Sequence, residues 1–117
     1  MTVGISFKYE SKKNAIIFRF EGEFTNENTS QIFADIKKLI NEKGHSNTIF
    51  NMGGIEYINS RTAGGIADVF ETIESYSGKI YVTNMNEFTQ DSLELLGMFL
   101  FINKSETEEK ALIELSK

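Results

Sequence analysis

The sequence predicts an α/β domain on a mixed, mostly parallel five-stranded sheet, in the element order β-β-α-β-α-β-α-β-α. Three observations predict it. Two short runs of period-two apolar alternation open the chain with only a turn between them, so they pair as an antiparallel hairpin at the edge of the sheet. From there on, apolar runs alternate with segments of helical periodicity, and strands separated by helices lie parallel through right-handed crossovers. At 117 residues, with no proline and no repeat or low-complexity stretch, residues 1–117 read as one domain able to bury a single core.

Residues 3–9, VGISFKY, put Val3, Ile5, Phe7 and Tyr9 on one face. After the turn ESKKN, residues 15–21 (AIIFRFE) form the second strand, with Ile16, Phe18 and Phe20 inward. Gly22 to Asn28 connects to a helix, which Asn28 or Thr29 caps by accepting a bond from a free N–H of its first turn. In TSQIFADIKKLINEKG, Ile32, Phe33, Ile36, Leu39 and Ile40 recur at helical spacing, Asp35, Lys38 and Glu42 lie opposite, and Gly44 takes the C-terminal glycine position. His45, the only histidine, follows in a loop. Asn47 to Asn51 is the third strand, ended by Gly53-Gly54, and the next helix opens with Ser60 as its N-cap and Ala63, Ile66, Ala67, Phe70 and Ile73 as its buried stripe. Beyond Gly78, KIYVT is the fourth strand. EFTQDSLELLG is a helix with Phe88, Leu95 and Leu96 available to pack, ended by Gly97. MFLFIN is continuously apolar and reads as a fifth strand buried on both sides. Ser105 then caps a last helix through the Ser-x-x-Glu pattern of Ser105 to Glu108, with Ala111, Leu112 and Leu115 inward.

Composition narrows the function. Hydrophobic residues at 40% and charged residues at 25% are those of an ordinary soluble globular protein. The chain has no cysteine, which excludes disulfides, thiolate nucleophiles and Cys-ligated metals, and His45 alone makes no zinc site, so neither a metal nor a cofactor is expected. No basic start leads into an apolar run, and no run approaches about 18 apolar residues, so neither export nor membrane insertion is expected and a cytoplasmic setting fits. A net charge of −5 repels phosphate backbones and speaks against nucleic-acid binding. The glycine pairs 53–54 and 64–65 form no nucleotide-binding loop, Ser60 lacks an activating base, and Asn51 ends the third strand where a phospho-acceptor aspartate would be needed. No catalytic residue is assigned, and the protein is not expected to be an enzyme.

What stands out is the polar mouth of the helix after the third strand, Asn59, Ser60, Arg61 and Thr62. The ordinary role of Ser60 there is a cap. A phosphate on Ser60 or Thr62 would sit at the positive end of the helix dipole, with Arg61 as a nearby cation. A second stripe on the same helix, Thr62, Gly65, Val69, Thr72 and Tyr76, combines small residues with an aromatic anchor and reads as a docking face. On that reading Tyr76→Ala and Gly65→Arg weaken partner binding and leave the fold intact.

The run FNMGGIEYINSRTAGGIADVF is similar to the central motif of STAS domains, the fold of bacterial anti-sigma-factor antagonists, whose usual pattern is LDLSGVxFIDSSGLGxL. Phe50, Asn51, Met52, Gly53, Gly54 and Ile55 stand for LDLSGV; Tyr57, Ile58, Asn59, Ser60 and Arg61 for FIDSS; Thr62, Ala63 and Gly64 for GLG. The element order and the closing LELLGMFLFINKSETEEKALIEL resemble the family too. The resemblance implies about four helices packed mainly on one side of the sheet, and a non-catalytic switch. In that switch a partner serine kinase, itself the anti-sigma factor, phosphorylates the second Ser of the DSSG motif, and only the unphosphorylated form binds it. This chain departs from the pattern. Arg61 holds the acceptor position, Asn51 and Asn59 hold the two acidic positions and so neutralise the pocket beside the acceptor, and Thr62 replaces Gly. Three functions follow from the resemblance. One is an antagonist-like module that binds an anti-sigma factor/serine kinase or another regulatory protein, with its phospho-switch moved to Ser60 or Thr62. Another is a constitutive adaptor, as in lipid-transport ATPase complexes. The third is a small-anion-binding module using Arg61 and the free N–H groups. The partner's identity and the oligomeric state, a homodimer included, stay open.

Overall fold

The computed structural model of the protein describes residues 4–44 and 46–117; the expectations for Val3 and His45 fall outside them. Five strands, β1 (Ile5–Ser11), β2 (Ile16–Gly22), β3 (Thr48–Gly54), β4 (Ile80–Thr83) and β5 (Asn103–Ser105), lie in the order β1-β2-β3-β4-β5. β1 pairs antiparallel with β2, Phe7 opposite Phe20, and all other pairings are parallel, with Phe18 beside Phe50 and Phe50 beside Val82. Four helices, α1 (Thr29–Lys43), α2 (Ser60–Glu74), α3 (Glu87–Leu95) and α4 (Glu108–Leu115), complete the expected order.

Alternation along β2 and β3 divides the apolar residues between two faces. Ile16, Phe18, Phe20, Phe50 and Met52 join Ile32, Phe33, Ile36 and Ile40 of α1, Ala63, Ile66, Val69 and Ile73 of α2, and Leu93 of α3 in the main core. Ala15, Ile17 and Ile49 point the other way and meet Ala111 of α4, with Leu112, Leu115 and Tyr81 packed around them. Three helices therefore cover one face and α4 covers the other. In the main core Phe18, Phe20, Phe24, Phe33 and Phe50 pack ring to ring, and Phe7 closes the cluster from β1.

Several local expectations need correction. Asn28 does occupy the N-cap of α1, but its Oδ1 accepts from Thr25 N (2.9 Å) and the Thr29 hydroxyl donates to Thr25 O (2.5 Å), so both side chains fold back on the connector instead of capping the helix. β3 continues past Asn51 and ends on the Gly53-Gly54 pair. Gly54 sits at a register shift against β2 where a Cβ would overlap the carbonyl oxygen of Phe20. α3 packs through Thr89 and Leu93, leaving Phe88, Leu95 and Leu96 exposed. The MFLFIN segment is not a buried strand. Gly97 ends α3 in the left-handed region (φ 72°), and Met98–Leu100 forms a 3-10 turn with Leu100 N–H donating to Gly97 O (3.2 Å) and Phe101 N–H to Met98 O (3.1 Å). Met98 and Ile102, four apart, are the residues it buries; the strand proper is Asn103–Ser105. Ser105 thus belongs to β5, and Thr107 caps α4 by accepting from Lys110 N–H (3.1 Å).

Candidate functional site

The mouth of α2 is held by two reciprocal bonds. Asn59, not Ser60, is the N-cap: its extended backbone (φ −122°, ψ 178°) turns the Oδ1 onto Thr62 N–H (2.9 Å), while Asn59 N–H donates to the Thr62 hydroxyl (3.3 Å). A capping residue of this kind is worth about 1 kcal/mol. Ser60 moves one place into the helix, to its first position. The loop in front of it is fixed from α3, because the Asn86 amide donates to Ile55 O (3.3 Å) and Glu56 O (3.0 Å) while its Oδ1 caps α3 by accepting from Thr89 N–H (2.7 Å). Tyr57, exposed in that loop, sets its ring edge-on to Phe88 at 5.7 Å. Asn86 was missed by the sequence reading, yet its signal was present. Asn59-Ser-Arg-Thr62 and Asn86-Glu-Phe-Thr89 are the same Asn-x-x-Thr cap.

These bonds separate the four mouth residues. Thr62 is fully buried with its hydroxyl engaged, and Asn59 is half-buried. Ser60 and Arg61 are exposed, and their side chains make no hydrogen bond or ion pair among the described residues. Of the two hydroxyls considered for phosphorylation, Ser60 is therefore the one at the surface. Arg61 borders an open groove of about 420 Å³ between α1 and α2, together with Ser30, Gly64 and Asp68. Asp68 is itself bound by Lys37 of α1 at 2.5 Å.

The second stripe of α2 is not an exposed face. Val69 is fully buried in the main core, Gly65 lies against the ring of Phe33 so closely that a Cβ would overlap it, and Thr72 is half-buried. Tyr76 is exposed but reaches back to α1, its hydroxyl donating to Asn41 Oδ1 (3.1 Å). The stripe from Thr62 to Tyr76 is the seam between α1 and α2, and the buried arc of α2 is rotated toward it, leaving Ala67 and Phe70 only half-buried. Substitution of Gly65 is consequently a change to the core.

Asn51 is not beside the mouth either. It alternates with Phe50 and Met52 and so faces α4, where its amide donates to Glu108 Oε2 (2.5 Å). Arg19 grips the same carboxylate through Nε and Nη2, both at 2.8 Å, and reaches Glu10 at 2.9 Å. The Arg19 guanidinium holds the Glu108 carboxyl below the usual carboxylate range, with Asn51 assisting against the opposing effect of burial. Since the folded state then binds fewer protons than the unfolded state in acid, this stabilisation is present above the unfolded pKa and lost as pH falls through the folded one. Glu108→Gln is expected to cost about 1 kcal/mol near neutral pH, after discounting for the exposure of Arg19. Urea unfolding should find the loss shrinking in acid, and a pH-independent loss would show that packing and not charge is involved.

Among known families, the STAS domain matches residues 6–111 of the chain. Among solved structures, the Thermotoga maritima protein TM1081 superposes with a TM-score of 0.85 at 20% identity, covering 95% of both chains. An anti-sigma factor antagonist from Mycobacterium paratuberculosis gives 0.86 at 15% identity over 97% of this chain and 96% of its own. The anti-sigma factor antagonist SpoIIAA in its unphosphorylated form gives 0.82 at 20% identity over 95% and 96%. At such identities the likeness is one of fold. No helix among the described residues is long and apolar enough to cross a membrane.

Proposed function

The chain belongs to the STAS domain family, matched over residues 6–111, and on that premise we propose that it is a non-catalytic regulatory module that docks on an anti-sigma factor of the serine-kinase class through the mouth of α2. The observation that carries this is the pairing of exposed Ser60 with exposed Arg61 on a helix start made rigid by the Asn59–Thr62 box. A rigid backbone presenting one hydroxyl and one cation can be read by a partner without an ordering penalty. It also offers Ser60 as the modifiable group. A phosphate there would lie on the positive end of a 15-residue helix, within reach of Arg61, and would add nearly two negative charges to the contact surface. A cytoplasmic location goes with this reading.

The reading is tested by a photo-crosslinking residue placed at position 61 in the native host, with mass spectrometry of the captured protein and of the peptide spanning residues 55–79. An ATP-binding serine kinase captured at position 61, and phosphate on Ser60 but not Thr62, is the expected result. Arg61→Glu should weaken that complex roughly tenfold or more. Capture of a transport ATPase with Ser60 unmodified in growth and stress would replace the switch by a permanent adaptor, a reading favoured by Arg61 standing where the family has its acceptor. Absence of any capture at position 61 would remove the mouth of α2 as the contact point.

A further inference from the structure

Five of the nine large hydrophobic side chains exposed among the described residues fall between positions 88 and 101: Phe88, Leu95, Leu96, Leu100 and Phe101. Scattered exposed apolar residues need no explanation, but a concentration of them does. Leu95 and Leu100 are 87% and 91% exposed, so they contribute almost nothing to the core, which this segment supplies with Leu93, Met98 and Ile102 instead. Phe88 and Leu95 are two turns apart on one face of α3, the turn carrying Leu100 and Phe101 follows directly in the chain, and the ring of Phe101 rests on Phe70 of α2 at 5.0 Å.

The charge of this segment is one-sided. No Lys or Arg occurs between Lys79 and Lys104, while Glu87, Asp91 and Glu94 of α3 are all exposed along the apolar residues; Lys104 lies over the ring of Phe99 at 5.2 Å and meets Glu94 at 4.0 Å, so three carboxylates face one ammonium group. A second copy of the chain would bring the same carboxylates together, and an anionic bilayer would be repelled. We propose that the outer face of α3 and the following turn, apolar in the middle and acidic at its edge, docks a cationic amphipathic helix of a partner protein, whose apolar side covers Leu95, Leu100 and Phe101 and whose Lys or Arg residues meet Glu87, Asp91 and Glu94. This surface adjoins the loop before α2 through Phe88 and Tyr57 but includes neither Ser60 nor Arg61, and it does not depend on the function proposed for them.

The test uses the full chain and a synthetic amphipathic helix of Leu and Lys about five turns long, with its Leu/Glu counterpart as control, followed by calorimetry and backbone NMR. The Lys peptide is expected to bind saturably and to shift the amides of residues 88–101, with the Glu peptide silent. Leu95→Ser/Leu100→Ser, changes at solvent-facing positions that leave thermal unfolding in place, should weaken it roughly tenfold or more, Asp91→Lys/Glu94→Lys likewise, and Arg61→Glu not at all. Equal binding to parent and Leu95→Ser/Leu100→Ser overturns the proposal, because adhesion is then mere charge. So does a dimer in sedimentation that Leu95→Ser/Leu100→Ser dissociates, or binding to phosphatidylglycerol vesicles that this variant abolishes, since another occupant then covers the face.

Discussion

Phe50→Ala is expected to lower the unfolding free energy by about 3–5 kcal/mol, a large part of the 5–15 kcal/mol or so that a domain of this size commands. Phe50 is fully buried in the middle of the central strand, with ring centroids of Phe18, Phe20 and Phe33 at 5.9, 5.6 and 6.1 Å. Those neighbours come from β2 and α1, so no single element can move in to fill the void, and the cavity term adds to the lost transfer energy. Phe88→Ala supplies the contrast. That ring is exposed and has one aromatic contact, Tyr57, so the change should stay within about 1 kcal/mol. Urea unfolding of both variants checks the difference, and equal losses would contradict the placement of the core between β3 and the helices α1 and α2.

The elements read most securely from the sequence are those whose burial is one-sided and periodic. In α1, Ile32, Phe33, Ile36 and Ile40 fall on one arc and Gly44 closes the helix in the left-handed region (φ 70°), its N–H donating to Ile40 O, as its place in the pattern predicts. The region from Gly97 to Ser105 was hidden for a different reason. Continuous apolarity suggests burial on both sides, although the residues that bury, Met98 and Ile102, keep a helical interval. At the mouth of α2 the sequence reading sets the cap one place late, because Asn59 and Ser60 are both good caps and only the reciprocal bond of Thr62 decides between them. Parity along β3 would have placed Asn51 on the opposite face from Phe50 and thus away from that mouth. The seam from Thr62 to Tyr76 could not be read at all. Which flank of α2 receives α1 is a property of the helix packing, and small residues with an aromatic suit a neighbouring helix as well as a partner protein.

Gly64→Ala and Gly65→Ala should move stability in opposite directions. In an exposed helix the change to alanine is worth up to about 1 kcal/mol, chiefly because the unfolded glycine has more freedom to lose. Gly64 meets that condition, being exposed with no atom within 4 Å of a Cβ placed there, so its variant is expected to be more stable by that amount. At Gly65 the same methyl group lands on the ring of Phe33, which cannot retreat: it is stacked on Phe24 at 5.8 Å and held edge-on by Phe50 at 6.1 Å. Overpacking of this kind costs roughly 1–3 kcal/mol, enough to outweigh the helix gain, so Gly65→Ala is expected to lose about 1–2 kcal/mol and Gly65→Arg about 3 kcal/mol or more. The consequence reaches the site. α2 must part from α1 to admit the new side chain, and the Asn59 amide, which reaches the Phe24 carbonyl at 3.5 Å, is carried with it. Gly65→Ala should therefore shift the backbone NMR signals of Ser60 and Arg61, more than a turn of helix away, whereas Gly64→Ala, although nearer to them, should shift them less. The opposite order would mean that the seam does not position the mouth, and that the exposed pair is set by its own capping box alone.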